Sequence, residues 1–364
     1  MEKNGVQLLF KQQIYVDSIL QLKNGRILFY CYKDLNFLYI YNEKTFQKIL
    51  EIDLYELIKE YKNKNQENQL KLKNNDIEKI KISIKELYNS VILISCYNYL
   101  IELNLHEKTY DNKVVKELDT NILDINELSD KRIIAITYFD IIVLKKDNEK
   151  YMIKEKYKIK DHWKISPNDY KFANQYFLSD ELQNNRLLIS SFINGKKYVP
   201  GNRFHRYILK EFSNSKILFL NTNNFEEIKS TKIFNEKANY MILENYIIIQ
   251  AYNETLLYDI NSLDLIQNIE FPEECGILYK FNNKYIFSYC KNTKLNSLTI
   301  YKIENNKFIK QFEMESNIFN NLIPLKFKWI IRYYKFLFVL KDKKIIINFD
   351  NNMFILKFPS DNLN

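Results

Sequence analysis

Glycine, proline, cysteine and histidine are all rare, at 5, 5, 4 and 3 of 364 residues. With so little glycine, asparagine has to make the turns, since its side chain bonds nearby backbone and tolerates φ > 0. Cys31, Cys96, Cys275 and Cys290 lie far apart with no Cys-x-x-Cys pair. That spacing points to neither a zinc site nor a secreted disulfide framework. No apolar run approaches the roughly 18 residues that span a bilayer. Met1–Gln13 lacks the charged-then-apolar layout of a signal peptide. The chain is therefore expected to be cytoplasmic and not transmembrane. No Ser or Cys nucleophile motif is present, and no carboxylate cluster recurs at inner-strand positions. His106, His162 and His205 fall in a turn and two irregular segments. His162 with Asp161 or Asp169 could act as an acid–base pair, but adjacent loop residues are more often simply exposed. The expectation is no enzyme, no cofactor and no metal.

What is abundant is aromatic and aliphatic: 28 Tyr and 25 Phe, within a hydrophobic content of 46%, enough for a substantial core. Ile, Lys, Asn and Tyr dominate, a bias that fits an AT-rich genome and weakens Lys and Asn counts as functional signals. The net charge of +9 suits a soluble basic protein or, alternatively, one with a polyanionic partner.

Ala238–Phe271 contains four short β-type runs separated by Asn-rich turns. Tyr246–Tyr252 is β-branched and aromatic between asparagines, as a buried strand should be. Thr255–Ile260 follows, then Asn261–Asp264 as turn material, then Leu265–Phe271. One four-strand meander cannot cover both faces of its sheet, so copies must stack. The pattern returns along the chain: 14–54, 76–118, 119–158, 172–234, 238–271, 272–314 and 315–358. The turns before the last strands read NEKTF, HEKTY, DNEKY, NTNNF, NSLDL, ENNKF and DNNMF, closing on Phe46, Tyr110, Tyr151, Phe225, Leu265, Phe308 and Met353. Four of the six spacings fall at about 40–45 residues, the length of a WD-type blade. The expected fold is all-β: a single domain over 1–364, a seven-bladed β-propeller of four-stranded antiparallel blades. Residues 5–13 form an orphan strand, expected to close the last blade beside 353–358.

Leu256–Ile269 (LLYDINSLDLIQNI) resembles the third strand, polar turn and fourth strand of WD-repeat-like propellers, and the likeness runs over nearly the whole chain. The Trp-Asp dipeptide and the Gly-His pair of that family are absent, and so is the kelch double glycine. The resemblance implies a fold and, by analogy, a protein–protein interaction scaffold.

Three insertions interrupt the period: 55–75, 159–171 and 193–215. In the first, Leu54, Leu57, Ile58 and Tyr61 share a helical face and Asp53 is placed as its cap. Successive turns of a meander alternate between its two ends, so all three insertions should emerge on one side, the expected working face. Residues 193–210 carry Lys196, Lys197, Arg203, Arg206 and Lys210 and no acid, with Tyr198, Phe204, His205 and Tyr207 interleaved. That reads as a protein-docking or solvated loop or, alternatively, as a basic loop contacting RNA or an anionic lipid surface. The Phe-Arg-Arg-Gly motif of phosphoinositide-binding propellers is absent. The candidate partner-binding residues are Trp163, Lys196, Lys197, Arg203, Phe204, His205 and Arg206.

Overall fold

In a computed structural model of the chain, the residues described are 7–13, 16, 18–31, 37–64, 82–106, 109–147, 150–159, 170–200, 207–251, 254–269, 275–291, 296–314, 336–340, 344–349 and 352–357. They form seven four-stranded antiparallel sheets. Blade one is β1's successor set: β2 (Ser18–Gln21), β3 (Arg26–Cys31), β4 (Phe37–Asn42) and β5 (Lys48–Asp53), where β1 is Gln7–Gln13. Helix α1 (Leu54–Lys64) follows. Blade two is β6 (Ile82–Glu86), β7 (Ile92–Cys96), β8 (Tyr99–Leu105) and β9 (Tyr110–Glu117). Blade three is β10 (Asp124–Glu127), β11 (Ile133–Ile136), β12 (Asp140–Asp147) and β13 (Lys150–Lys158). Blade four is β14 (Tyr170–Leu182), β15 (Arg186–Pro200), β16 (Tyr207–Asn221) and β17 (Glu227–Ser230). Blade five is β18 (Asn239–Ile242), β19 (Tyr246–Gln250), β20 (Thr255–Asp259) and β21 (Leu265–Ile269). Blade six is β22 (Cys275–Lys280), β23 (Tyr285–Lys291), β24 (Asn296–Glu304) and β25 (Lys307–Met314). The last sheet runs β1, β28 (Asn352–Lys357), β27 (Lys344–Phe349), β26 (Phe336–Val339), so the N-terminal strand supplies its outer edge. Seven consecutive meanders, with the first strand lent to the last, define a seven-bladed β-propeller.

Contacts group the chain into two compact units, residues 1–54 with 240–364, and residues 55–239. In the first unit, Val16, Ile27 and Phe29 of blade one pack with Ile346, Met353 and Ile355 of the last blade. Ile248 and Leu257 of blade five pack with Leu278 and Ile286 of blade six. In the second unit, Leu93 and Leu100 of blade two meet Ala135 and Ile142 of blade three. The other face of blade three, through Ile134, Ile136 and Ile141, meets Phe177, Ile189 and Leu218 of blade four. Each central strand is thus apolar on both faces, as a strand sandwiched between sheets must be.

One hydrophobe recurs in every blade at the turn after the first strand: Leu22, Leu87, Leu128, Leu182, Leu243, Phe281 and Leu340, all buried. At Leu22, Leu87, Leu128, Phe281 and Leu340 its N–H bonds the carbonyl four residues on. This position marks the repeat more faithfully than the turn before the fourth strand, and two assignments change accordingly. In blades one and four that turn places Phe46 and Phe225 at positive φ (54° and 56°). Their N–H groups bond Asn42 O and Asn221 O at 2.9 and 2.7 Å. In blade five the equivalent is Leu263, with φ 61° and its N–H on Asp259 O at 2.9 Å. Leu265, expected there, is half exposed. The expected marker was two residues late because Asp259, not Asn261, caps this turn: its Oδ1 accepts from Asn261 and Ser262 N–H at 2.8 and 2.7 Å. The turn before Met353 joins β27 to β28, the second and third strands of its blade, because β1 is the fourth.

A left-handed conformation costs a non-glycine residue roughly 1–2 kcal/mol. Burial of Phe46, Phe225 and Leu263, each 5% exposed or less, offsets it, since burying such a side chain is worth about 1.5–3 kcal/mol. In all seven blades the pairing of third and fourth strands also slips by one residue at a bulge. Bulges there raise the twist of the outer edge.

Candidate functional site

The ends of the blades in the second unit can be told apart by their hydrogen bonds. At one end, first-to-second turns reach the next blade. Tyr88 N–H donates to Glu127 (2.5 Å), and Ser129 donates through N–H and Oγ to Glu181 (2.6 and 3.0 Å). Arg132 donates to Thr222 O (2.6 Å). These turns are short.

At the other end, second-to-third turns bond to the links between blades. Leu118 and Ile122 N–H donate to Asn98 O and Tyr97 O, at 2.9 and 2.7 Å. Ile159 N–H donates to Phe139 O at 2.8 Å. In blade four the bond to the link comes from within β16: Ser215 Oγ donates to Glu236 O at 2.6 Å and accepts from Ala238 N–H at 2.9 Å. Helix α1 joins this end: Tyr61 sets its ring edge-on to Tyr99, beside the Tyr97–Asn98 turn, with centroids 6.1 Å apart. Phe139, in the blade-three turn, is 38% exposed.

Residues 193–215, expected as an inserted loop, are largely sheet. β15 and β16 pair without a register break from Arg186↔Asn221 to Pro200↔Tyr207. The loop reading failed because Gly195 and Pro200 look like turn formers, whereas both sit in β15, Pro200 at its last pair. β14 accompanies them down to Tyr170↔Lys197 and Lys171↔Lys196. Residues 170 and 171 of the second insertion therefore belong to the same extended sheet. Lys196 stands opposite Glu211 on one side and Lys171 on the other; Lys197 stands opposite Lys210 and Tyr170. Trp163, Arg203, Phe204, His205 and Arg206 lie outside the described residues, as does 65–75 of the first insertion.

Two polar constellations carried no sequence signal. Asp124, on the first strand of blade three and 7% exposed, accepts from Ser83 Oγ (2.6 Å) in blade two. It also accepts from Ser179 N–H and Oγ (2.7 and 2.8 Å) in blade four. Asn126 Nδ2 adds a bond to Ser179 O at 3.2 Å. A single carboxylate thus stitches three first strands. The alternation of Asp124 and Asn126 on one side of a short strand was the only available hint. The second is Glu102, 3% exposed, whose two carboxylate oxygens each accept from Lys146 Nζ at 2.8 Å. Burial and the nearby Glu102 charge push the Tyr151 hydroxyl well above the usual phenol range. A buried carboxylate is tolerated when its cation stays with it. These groups are satisfied by one another, and the chemistry they perform is to lock blades together.

Cys31 and Cys96 are buried and hold thiols rather than disulfides. Burial pushes Cys96 up to about 12, so it is protonated and unreactive near neutral pH. Among the described residues no group of three or more His, Cys, Asp or Glu could hold a metal ion, and no helix is long and apolar enough to cross a membrane.

The fold and its bonding place the chain among β-propellers. No protein family matches it by sequence, and no curated protein does. Among solved structures it is similar to the extracellular domain of the putative hybrid two component system BT3049 from B. thetaiotaomicron. That likeness has a TM-score of 0.50 at 15% identity, over 97% of this chain and 42% of that one. The chain therefore spans under half the length of that protein's solved chain, and the likeness is one of fold alone. It also aligns with the Dos1 propeller at 11% identity and a TM-score of 0.48, over 98% of this chain and 95% of that one.

Proposed function

We propose that the chain is a non-enzymatic, cytoplasmic propeller scaffold, WD-repeat-like in kind, that holds a protein partner at the end of the blades bearing the links. The supporting observation is the length of β15 and β16: 15 residues each, where the matching strands of blade three have 4 and 8. A blade needs no such length to fill its core, and long excursions from a compact domain are commonly functional. In this reading Trp163 and Phe204 are the anchors, because aromatic and Arg residues dominate binding hot spots. Lys196, Lys197, Arg203, His205 and Arg206 steer the encounter. A second reading, contact with RNA or an anionic lipid surface, is supported by the five basic residues without an acid in 193–210.

The test is one variant carrying Trp163→Ala, Arg203→Ala, Phe204→Ala and Arg206→Ala. It should keep the wild-type melting midpoint and lose the partner proteins recovered by affinity capture from the native source. Recovery of the same partners would move the site to the tight-turn end. Retention of the wild type on RNA or anionic vesicles, with no protein partner, would favour the second reading.

A further inference from the structure

The extended sheet ends in an edge. β17 pairs with β16 only at Leu218–Leu220, and the pairing continues outward through Thr231 on Ile217 and Phe234 on Ser215. Among the described residues no strand pairs with Tyr207–Asn214 on the side away from β15. The direction of the backbone along this edge follows from its neighbours. Ser215 N–H donates to Phe234 O at 2.8 Å and its carbonyl accepts from Phe234 N–H at 2.9 Å. Ile217 N–H reaches Thr231 Oγ1 at 3.1 Å and its carbonyl accepts Thr231 N–H at 3.0 Å. Both residues thus turn N–H and C=O away from β15. The register between β15 and β16 has no bulge, so the period of two carries on. Ser213, Glu211, Leu209 and Tyr207 present their backbone groups outward in the same way.

We propose that this edge takes up an extended, acidic polypeptide segment, which adds to β16 as a further antiparallel or parallel strand. The inference rests on the protein-scaffold reading and names the partner chemistry. Backbone polar groups in an edge demand pairing or water, and strand addition is the recurrent way a sheet edge binds a peptide. The charge of the surrounding sheet selects the sign. Lys171, Lys196, Lys197 and Lys210 occupy two adjacent rungs, with Glu211 their only acid. A nucleic acid could meet the lysines but has no backbone that completes a row of alternating N–H and C=O groups. The edge therefore favours a peptide.

The test uses the full chain and a fluorescein-labelled peptide of alternating Glu and Thr, read by anisotropy. Glu211→Gln removes the one acid and should tighten binding. Glu211→Pro removes the same charge and one outward N–H while sparing the bonds to β15, as edge prolines do. It should bind roughly fivefold or more weakly than Glu211→Gln, the worth of about one hydrogen bond. Lys197→Gln with Lys210→Gln should weaken binding, and added salt should shrink that difference. The same peptide N-methylated at alternate residues should not bind, an arm that stands even if Glu211→Pro fails to fold. Equal binding by the Pro and Gln variants, equal binding of the N-methylated peptide, or binding of oligo(U) with none of the acidic peptide would each overturn the proposal. If strand addition fails while the fourfold Ala variant still loses its native partners, the edge is wrong and the scaffold reading stands. If that variant keeps its partners, the docking site of the scaffold reading moves to the tight-turn end, away from this edge.

Discussion

Blades four and five are built on the same plan and differ mainly in length. Blade five has strands of 4 or 5 residues, and its centre, Ile248 and Leu257, is fully buried. Blade four has first, second and third strands of 13, 15 and 15 residues and a fourth of 4, and its centre, Ile189 and Leu218, is equally buried. About five residues are thus enough to fill the space between neighbouring blades. In blade four burial continues on β15 to Ile193, 2% exposed. The further seven residues of β15 add about 20 Å of strand beyond that core position. Stability should reside in the shared length and binding in the surplus.

The sharpest way to break that division is at the shared centre. Ile248→Asp would bury a carboxylate without a partner, costing several kcal/mol against a marginal total of about 5–15. Denaturant titration should find the variant unfolded or close to it. Wild-type stability would mean that β19 does not sit between sheets. A smaller loss is expected at the left-handed turn that blade four shares with blade five. Phe225→Ala should cost about 3–4 kcal/mol through the vacated pocket, where Tyr157 lies 4.7 Å away between ring centroids. Phe225→Gly should cost no more than Ala, since glycine adopts φ near 56° freely. A Gly variant clearly less stable than Ala would show that the turn is not strained.

The next effect appears only in alkali. The Cys96 thiol titrates near 9 when unfolded and is pushed up to about 12 in the fold. Its folded pKa is raised, so above pH 9 the unfolded state loses the proton first. The contribution is complete below pH 9 and is lost as pH rises towards about 12. Cys96→Ala should flatten the alkaline limb of the stability profile, and the native thiol should resist Ellman's reagent at neutral pH. Rapid labelling of the folded protein would contradict its burial. The smallest effect belongs to the surplus. Lys197→Gln with Lys210→Gln should leave the denaturation midpoint within about 0.5 kcal/mol of wild type. A large loss would put the extension in the core after all.

Much of this division was legible beforehand. Tyr246–Tyr252 and its counterparts read as strands because runs of β-branched and aromatic residues between asparagines have few other solutions. Residues 5–13 stood out as a strand without a blade, and β1 pairs with β28. The face of α1 through Leu54 and Ile58, both buried, was visible in the helical spacing. The candidate site was less legible. Of its seven residues only Lys196 and Lys197 lie within the described chain, and their setting as sheet was not foreseen. A run such as Tyr207–Phe212 mixes apolar and charged residues in a way that suits either a loop or a solvated strand, and only a paired partner decides.

The sequence by itself determined the local grammar: which runs are strands, where asparagine permits a turn, and how many times the unit repeats. These follow from side-chain chemistry acting over a few residues. Only the tertiary structure decided what depends on distant neighbours. It set Leu263 rather than Leu265 in the blade-five turn, because the residue that packs inward is chosen by the adjoining sheet. It joined Asp124 to Ser83 and Ser179, over 41 and 55 positions of chain. It also drew β15 and β16 out to 15 residues each, since strand length is set by pairing and not by composition.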